Sequence, residues 1–298
     1  MICKITGFKL LVLSILFCQV VFYQSIKTDS IIEQRISELT KTLAKCVKCD
    51  EIYAERAQAK LEVLDYLGAI EDCSQAIKIN LSNADAYLYR GFAKLRLGKY
   101  QESIIDLNTS IKLDKTNLLA YLYRGLVKVQ LESYQEAIND LNIYIKSNPT
   151  YSEAYFLRGK SSYNLEKHHE SMVDFNKAIE LSPNIGEYYM LRATLKLKLS
   201  DCRGAILDYD KCIELNSEEK GVAFFARGWS KSILKNYNES IIDYNNAINI
   251  MPNNGEIYFE RGRVKIELNQ IENACLDFSR AGELGEIRAY ELIKKYCI

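Results

Sequence analysis

Proline is nearly missing from this chain: three residues in 298, alongside only fourteen glycines. An all-β sandwich needs turn residues far more often, so the shortage points to helices joined by short connections. Net charge is missing too, since 39 basic residues balance 39 acidic ones. A nucleic-acid binder needs a basic surface, and this balance supplies none. Two histidines leave little material for a histidine-based metal or acid–base site. No apolar run reaches the roughly 20 residues of a membrane-spanning helix. What is present, 48% hydrophobic and 26% charged residues, is the mix of a folded protein.

Residues 1–25 read as a segment apart from the fold. Lys4 and Lys9 precede an apolar run from Leu10 to Phe17, which continues past Gln19 to Tyr23. These fourteen mostly apolar residues fit the core of a secretory signal or an N-terminal membrane anchor. No A-x-A-like pair marks a cleavage site, and Ser25 is the best small residue available. Phe17 stands where a small residue would precede a lipid-modified cysteine, which argues against a lipid anchor at Cys18. The expectation is an exported, periplasmic or envelope-associated protein. The alternative is a short apolar N-terminal helix in a cytosolic one.

From residue 51 onward the sequence repeats itself. Arg56, Arg90, Arg124, Arg158, Arg192, Arg227 and Arg261 are spaced 34, 34, 34, 34, 35 and 34 apart. Asp72, Asp106, Asp140, Asp174, Asp208, Asp243 and Asp277 keep the same spacings. The extra residue falls within Ser217 to Gly221, a polar stretch between repeats where an insertion does least harm. Each copy reads as two helices. In the second copy Ala86 to Leu97 carries apolar residues at helical spacing, Gly98-Lys99 breaks it, and Tyr100 to Leu113 returns with Ile104, Leu107 and Ile111 on one face. Small residues sit where the two helices approach, as at Gly91, Gly125 and Gly159 opposite Ser103, Ala137 and Ser171. Pro149, Pro183 and Pro252 share one slot just after the second helix.

Thirty-four-residue helix–turn–helix units, with small residues at these slots, an aromatic opening the turn (Tyr100, Tyr134, Tyr237) and a terminal proline, resemble tetratricopeptide repeats. The resemblance covers about Glu51 to Leu284, and the Arg-Gly pair in the first helix is similar to a form frequent in bacterial proteins. Repeat one departs from the pattern at Ala57 and Leu81, and repeat five lacks both the glycine and the proline. The resemblance implies an all-α, right-handed superhelical solenoid of about seven repeats, whose concave face, lined by first helices, holds peptides or other proteins. Residues 26–50 are then a capping segment, with Ser30-Ile31-Ile32-Glu33 as a capping box opening a helix from Ile31 to about Val47. Residues 51–285 are the repeats, and residues 286–298 are a closing helix from Glu286 to Tyr296.

Lys60, Lys94, Lys128, Lys196, Lys231 and Lys265 each follow the repeat arginine by four residues, on the same helix face. The equal number of aspartates favours a structural charge ladder over a basic grip on partner carboxylates. Spacing leaves open whether each aspartate pairs within its own repeat or with the next. A chaperone-type carboxylate clamp would need asparagine beside the lysines, and none recurs there. For a partner-binding groove the first helices offer Leu88, Tyr89, Phe92, Tyr123, Leu126, Tyr163, Phe225 and Trp229, with polar ends at Glu55, Gln58, Glu260 and Arg263. Phe156 and Met190 read as core.

Nine cysteines become seven if Cys3 and Cys18 leave with a signal. Cys46-x-x-Cys49 lacks a second such pair and reads as packing on a helix. Cys275 and Cys297 face each other if the chain turns near Gly285, so an oxidising compartment would let them form a disulfide. Cys202 and Cys212, ten residues apart along one helix, are roughly 15 Å apart and out of reach. His168-His169 falls at a turn. With no phosphate loop, nucleophile elbow or HExxH motif, the expectation is a non-enzymatic scaffold that binds a protein segment, without cofactor or metal. The alternative is a co-chaperone or carrier of many apolar clients.

Overall fold

The computed structural model describes residues 25–46 and 48–297; the expectations placed on residues 1–24 lie outside the described residues. Sixteen α-helices and no strand occur among the described residues. The chain divides into two units at Arg124/Gly125.

Unit one opens with α1 (Ser25–Leu43). Two antiparallel hairpins follow: α2 (Asp50–Glu62) with α3 (Tyr66–Ile79), then α4 (Ala84–Arg96) with α5 (Tyr100–Leu113). The division falls within α6 (Leu118–Gln130). Unit two continues with α7 (Tyr134–Ser147), α8 (Ser152–Asn164), α9 (His168–Leu181), α10 (Gly186–Lys198) and α11 (Cys202–Glu214). It ends with α12 (Lys220–Ile233), α13 (Tyr237–Ile250), α14 (Gly255–Glu267), α15 (Ile271–Glu283) and α16 (Ala289–Tyr296). Fourteen of the sixteen helices make the seven pairs that the 34-residue spacing predicts, and α1 and α16 flank them.

Each pair crosses closely where its small residues meet. Ser103, Ser171 and Ser240 donate their hydroxyl hydrogens to the carbonyls of Gly91, Gly159 and Gly228 across the crossing, at 2.6, 2.8 and 2.7 Å. A Cβ on Gly159 would stand 2.9 Å from the Phe175 ring, and one on Gly262 would stand 2.7 Å from the Phe278 ring. Those buried rings fill the centre of their hairpins. They pack on Phe156 and Phe259 at ring-centroid distances of 5.9 and 6.0 Å, as Tyr244 packs on Phe225 at 5.9 Å.

The turn inside each hairpin has one unforeseen requirement. Leu64, Gly98, Glu132, Glu166, Ser200, Lys235 and Asn269 occupy the same repeat position, and all have positive φ, between 57° and 73°. Left-handed backbone costs an L-residue roughly 1–2 kcal/mol and glycine almost nothing, yet only Gly98 uses glycine. Lys235→Gly is therefore expected to stabilise the protein by about 1 kcal/mol. A denaturant midpoint unchanged or lowered relative to the parent would contradict this.

The ends differ from the expected boundaries. Ser30 lies inside α1, five residues past its start, so the expected capping box does not open this helix. No proline or glycine between Ser25 and Ser30 stops the helix upstream. At the other end α16 begins at Ala289, three residues later than expected, because the Glu286 carboxylate accepts the backbone N–H of Arg288 at 3.2 Å and holds a turn there.

Candidate functional site

The repeat arginine is the most connected side chain in each hairpin. Arg192 on α10 donates from Nε and Nη2 to the two carboxylate oxygens of Asp208 on α11, at 2.9 and 2.7 Å. The same two-pronged contact joins Arg56 to Asp72, Arg90 to Asp106, Arg158 to Asp174, Arg227 to Asp243 and Arg261 to Asp277. Pairing is thus within a repeat for these six, sixteen residues apart. Asp140, in unit two, pairs with Lys128 at 2.8 Å. The lysine four residues after the arginine joins the same aspartate: Lys60, Lys94, Lys196, Lys231 and Lys265 lie 2.7–2.9 Å from it. The aspartates are buried, so Asp72, Asp106, Asp208, Asp243 and Asp277 each meet two cations out of water, where bidentate geometry counts most.

Two further partners escaped the sequence reading. Each arginine's remaining nitrogen, Nη1, reaches the second helix of the preceding repeat, as Arg158 does to Asn142 at 2.7 Å and Arg192 to Asn176 at 2.8 Å. Arg124 reaches Asn108 at 2.8 Å, Arg261 reaches Asn245 at 2.5 Å, and Arg56 reaches Thr40 on α1 at 3.0 Å. The signal was a polar residue two places after the repeat aspartate, Asn108, Asn142, Asn176 and Asn245, with Ser74 and Asp210 in the other two repeats reached. Each guanidinium also lies over an aromatic ring three residues earlier, from Tyr53, Tyr87, Tyr121, Tyr155 and Tyr189 to Phe224 and Tyr258, at 5.3–5.6 Å. With every donor engaged, the ladder holds repeats together and offers no cation to a partner's carboxylate.

The expected groove residues fall into two groups. Leu88, Phe92 and Phe225 are buried, which corrects their assignment to an open surface. Phe225 faces its own hairpin, where it packs on Tyr244, and Tyr123 stacks on Phe92 at 4.4 Å. Phe156 and Met190 are buried, as core side chains are. Tyr89, Tyr123, Leu126, Tyr163 and Trp229 are half-buried and keep part of their surface on the first-helix side. Burial pushes the Tyr89 hydroxyl up to about 12 and raises that of Tyr163. At the polar ends, Glu260 accepts from Arg263 at 3.0 Å, and the Arg288 guanidinium lies 4.5 Å above the Phe259 ring.

Each unit carries acids at the starts of first helices. In unit one a cleft of about 340 Å³ is lined by Asp50, Glu51, Glu55 and Asp85 together with Gln58 and Tyr89. Asn80 donates to Asp50 at 2.7 Å and holds its carboxyl below the usual range. In unit two Glu187, at the start of α10, is 7% exposed, and burial pushes its carboxyl up to about 8. Nothing in the sequence pattern singles it out.

Cys275 and Cys297 are joined as a disulfide that ties α15 to the end of α16, with Cα atoms 5.7 Å apart. Cys46 and Cys49 are also joined, with Cα atoms 6.1 Å apart, in the link between α1 and α2. They lie off any helix, which corrects the reading of this pair as helix packing, because α1 stops at Leu43 and α2 starts only at Asp50. Cys73, Cys202 and Cys212 are free and buried. His168 opens α9 and does not lie in the turn before it. Among the described residues no group of three or more His, Cys, Asp or Glu is placed to hold a metal ion, and no helix is long and apolar enough to cross a membrane.

The tetratricopeptide repeat family model matches residues 84–117 and 152–185, which are the α4/α5 and α8/α9 hairpins with their following turns. A solved tetratricopeptide repeat protein from Parabacteroides merdae is 20% identical with a TM-score of 0.58, covering 84% of this chain and 98% of that one. The chain carries tetratricopeptide repeats. YrrB, described as a tetratricopeptide repeat protein with an unusual peptide-binding site, is 20% identical with a TM-score of 0.56, over 63% of this chain and 97% of its own. MamA from Desulfovibrio magneticus is likewise 20% identical, with a TM-score of 0.53 over 57% of this chain and 96% of that one. At such identities these structures speak to the tetratricopeptide repeat fold alone. No curated protein matches the sequence. The tetratricopeptide repeat fold supports a role in protein–protein interaction, and proteins of this family generally act as non-catalytic scaffolds.

Proposed function

We propose that this protein is a non-enzymatic scaffold that holds a segment of another protein against its first helices, in an exported compartment. The observation that carries the reading is the set of aromatic side chains left part-open on that side, Tyr89 in unit one and Tyr163 and Trp229 in unit two. Aromatics of this kind supply contact area at small entropic cost and anchor many interfaces. The arginine–aspartate ladder is taken up by the fold, so recognition falls to these residues and to the acids beside them. Two cysteine pairs at bonding positions support an oxidising location, since such pairs are rare in reducing compartments. The charged, then apolar, opening of the sequence points the same way.

A photo-crosslinker at Tyr89 and at Trp229 in the native cell, with a control at exposed Lys112 on α5, tests the reading when adducts are sorted by cell fraction. One dominant adduct at each probe, found in the exported fraction and absent from the control, is the expected result. A broad set of adducts would replace the dedicated scaffold with a carrier of many clients. Adducts no stronger than the control would remove the first helices as the binding side, and adducts only in the cytosolic fraction would remove export.

A further inference from the structure

The second residue of a first helix is acidic in five repeats: Glu51, Asp85, Glu153, Glu187 and Glu256. Free N–H groups and the helix dipole favour a carboxylate there, which accounts for the exposed members of the series. They do not account for burying one. Glu187 is 7% exposed, and no described residue donates a hydrogen bond or pairs with its carboxylate. Its carboxylate oxygens are not fully enclosed, and the burial around them favours a proton or an arriving cation.

Its surroundings are those of an unfilled acidic site. The charged groups acting on it are Lys160 and Glu153 on α8, and Glu218 and Glu219 just ahead of α12. Three of these four are acids, and Lys160 makes no ion pair with Glu187 within 4.0 Å. Ser217 to Gly221, where this repeat carries its extra residue, begins against Gly186, the residue just before Glu187. Gly186 fits beneath Ser217 of that stretch, where an added Cβ would stand only 2.6 Å from the serine Cβ. Half-buried Tyr163 and Trp229 belong to the first helices on either side, α8 and α12.

We propose that the first-helix side of unit two receives a lysine or arginine side chain of the held segment, its cation pairing with Glu187 inside a rim of Glu153, Glu218 and Glu219. This rests on the scaffold reading and narrows its partner to a segment in which a basic residue stands among apolar ones. The cation displaces the proton that burial keeps on Glu187, so binding strengthens as pH rises toward 8. Unit one independently presents the same sign of charge in its cleft of Asp50, Glu51, Glu55 and Asp85.

The test uses the full chain and a fluorescein-labelled peptide of alternating leucine and lysine, against one with glutamine for lysine, read by anisotropy. The wild type is expected to bind the lysine peptide at least about tenfold more tightly, a difference of roughly 1.4 kcal/mol. Glu187→Gln should erase that preference while leaving the glutamine peptide unchanged, and a Glu218→Gln/Glu219→Gln variant should lower it only about twofold to threefold. Affinity for the lysine peptide should rise between pH 6.5 and 8.5 in the wild type and stay flat in Glu187→Gln. Matching thermal melts at pH 4.5 establish that the variant folds. Equal lysine-peptide affinity in wild type and Glu187→Gln would overturn the proposal. So would binding of neither peptide, and in that case adducts at Trp229 would still uphold the scaffold itself.

Discussion

Asp243→Ala is expected to cost about 3–5 kcal/mol of stability, the loss that follows when one partner leaves a buried ionic cluster. Asp243 on α13 is 1% exposed and accepts from Arg227 Nε at 2.9 Å and Nη2 at 2.5 Å. Lys231 stands 2.9 Å from it. Alanine removes both acceptor oxygens and strands two cations whose side chains are only 16% and 15% exposed. Arg227 keeps its contact with Asp210 at 2.6 Å, which limits the loss without replacing what Asp243 gave. The contrast is Lys211 with Glu214, a pair 54% and 65% exposed, where Lys211→Ala is expected to leave stability essentially unchanged. Urea titrations of the two variants give the comparison. Repeat arrays can open piecemeal, so hydrogen exchange across α12 and α13 should show where the loss falls. An Asp243→Ala cost near that of Lys211→Ala would mean the ladder is ornamental.

Glu187 should make stability depend on pH in a way its glutamine variant does not. The unfolded chain releases this proton near the ordinary glutamate value of about 4.3, whereas burial holds it on the folded protein up to about 8. Between those values the folded state binds more protons than the unfolded one. The contribution is therefore fully present below about pH 4.3, declines as pH rises, and is lost above about 8. Each tenfold difference in proton affinity between the two states is worth about 1.4 kcal/mol, so the whole swing is on the order of 5 kcal/mol. Relative to wild type, Glu187→Gln should gain that amount between pH 4.5 and 9, read as the difference between two series of denaturation midpoints. Parallel pH profiles would show that the carboxylate is solvated or already paired.

The repeat was legible because its arginine and aspartate cannot drift: a bidentate pair between two helices fixes both positions in six repeats, and seven copies of the two residues display the spacing. The pairing itself was not legible. A separation of sixteen residues is compatible with a hairpin partner, but a sequence does not say whether the next hairpin comes closer. The first-helix aromatics failed for a related reason. Helical periodicity separates apolar from polar sides, yet Leu88 is buried and Phe225 packs on Tyr244 of its own second helix, while Trp229, on the same helix as Phe225, stays half open. Phe92 was misjudged because its cover, Tyr123, arrives from the following first helix. Glu187 looked like any other first-turn acid, since its burial depends on tertiary packing that no local pattern announces.

The backward reach of the arginines gives the stack a direction. Arg192 is complete only when Asn176 of the earlier repeat is present, and Arg261 needs Asn245 in the same way. Trimming the protein from its C-terminal end leaves every surviving arginine with all its partners, whereas trimming from the N-terminal end orphans one nitrogen at each new edge. Thr40 on α1 does for Arg56 what a preceding repeat would do, so the first helix works as a terminator for a one-way chain of donors. Such an array lengthens or shortens with least disruption at its far end.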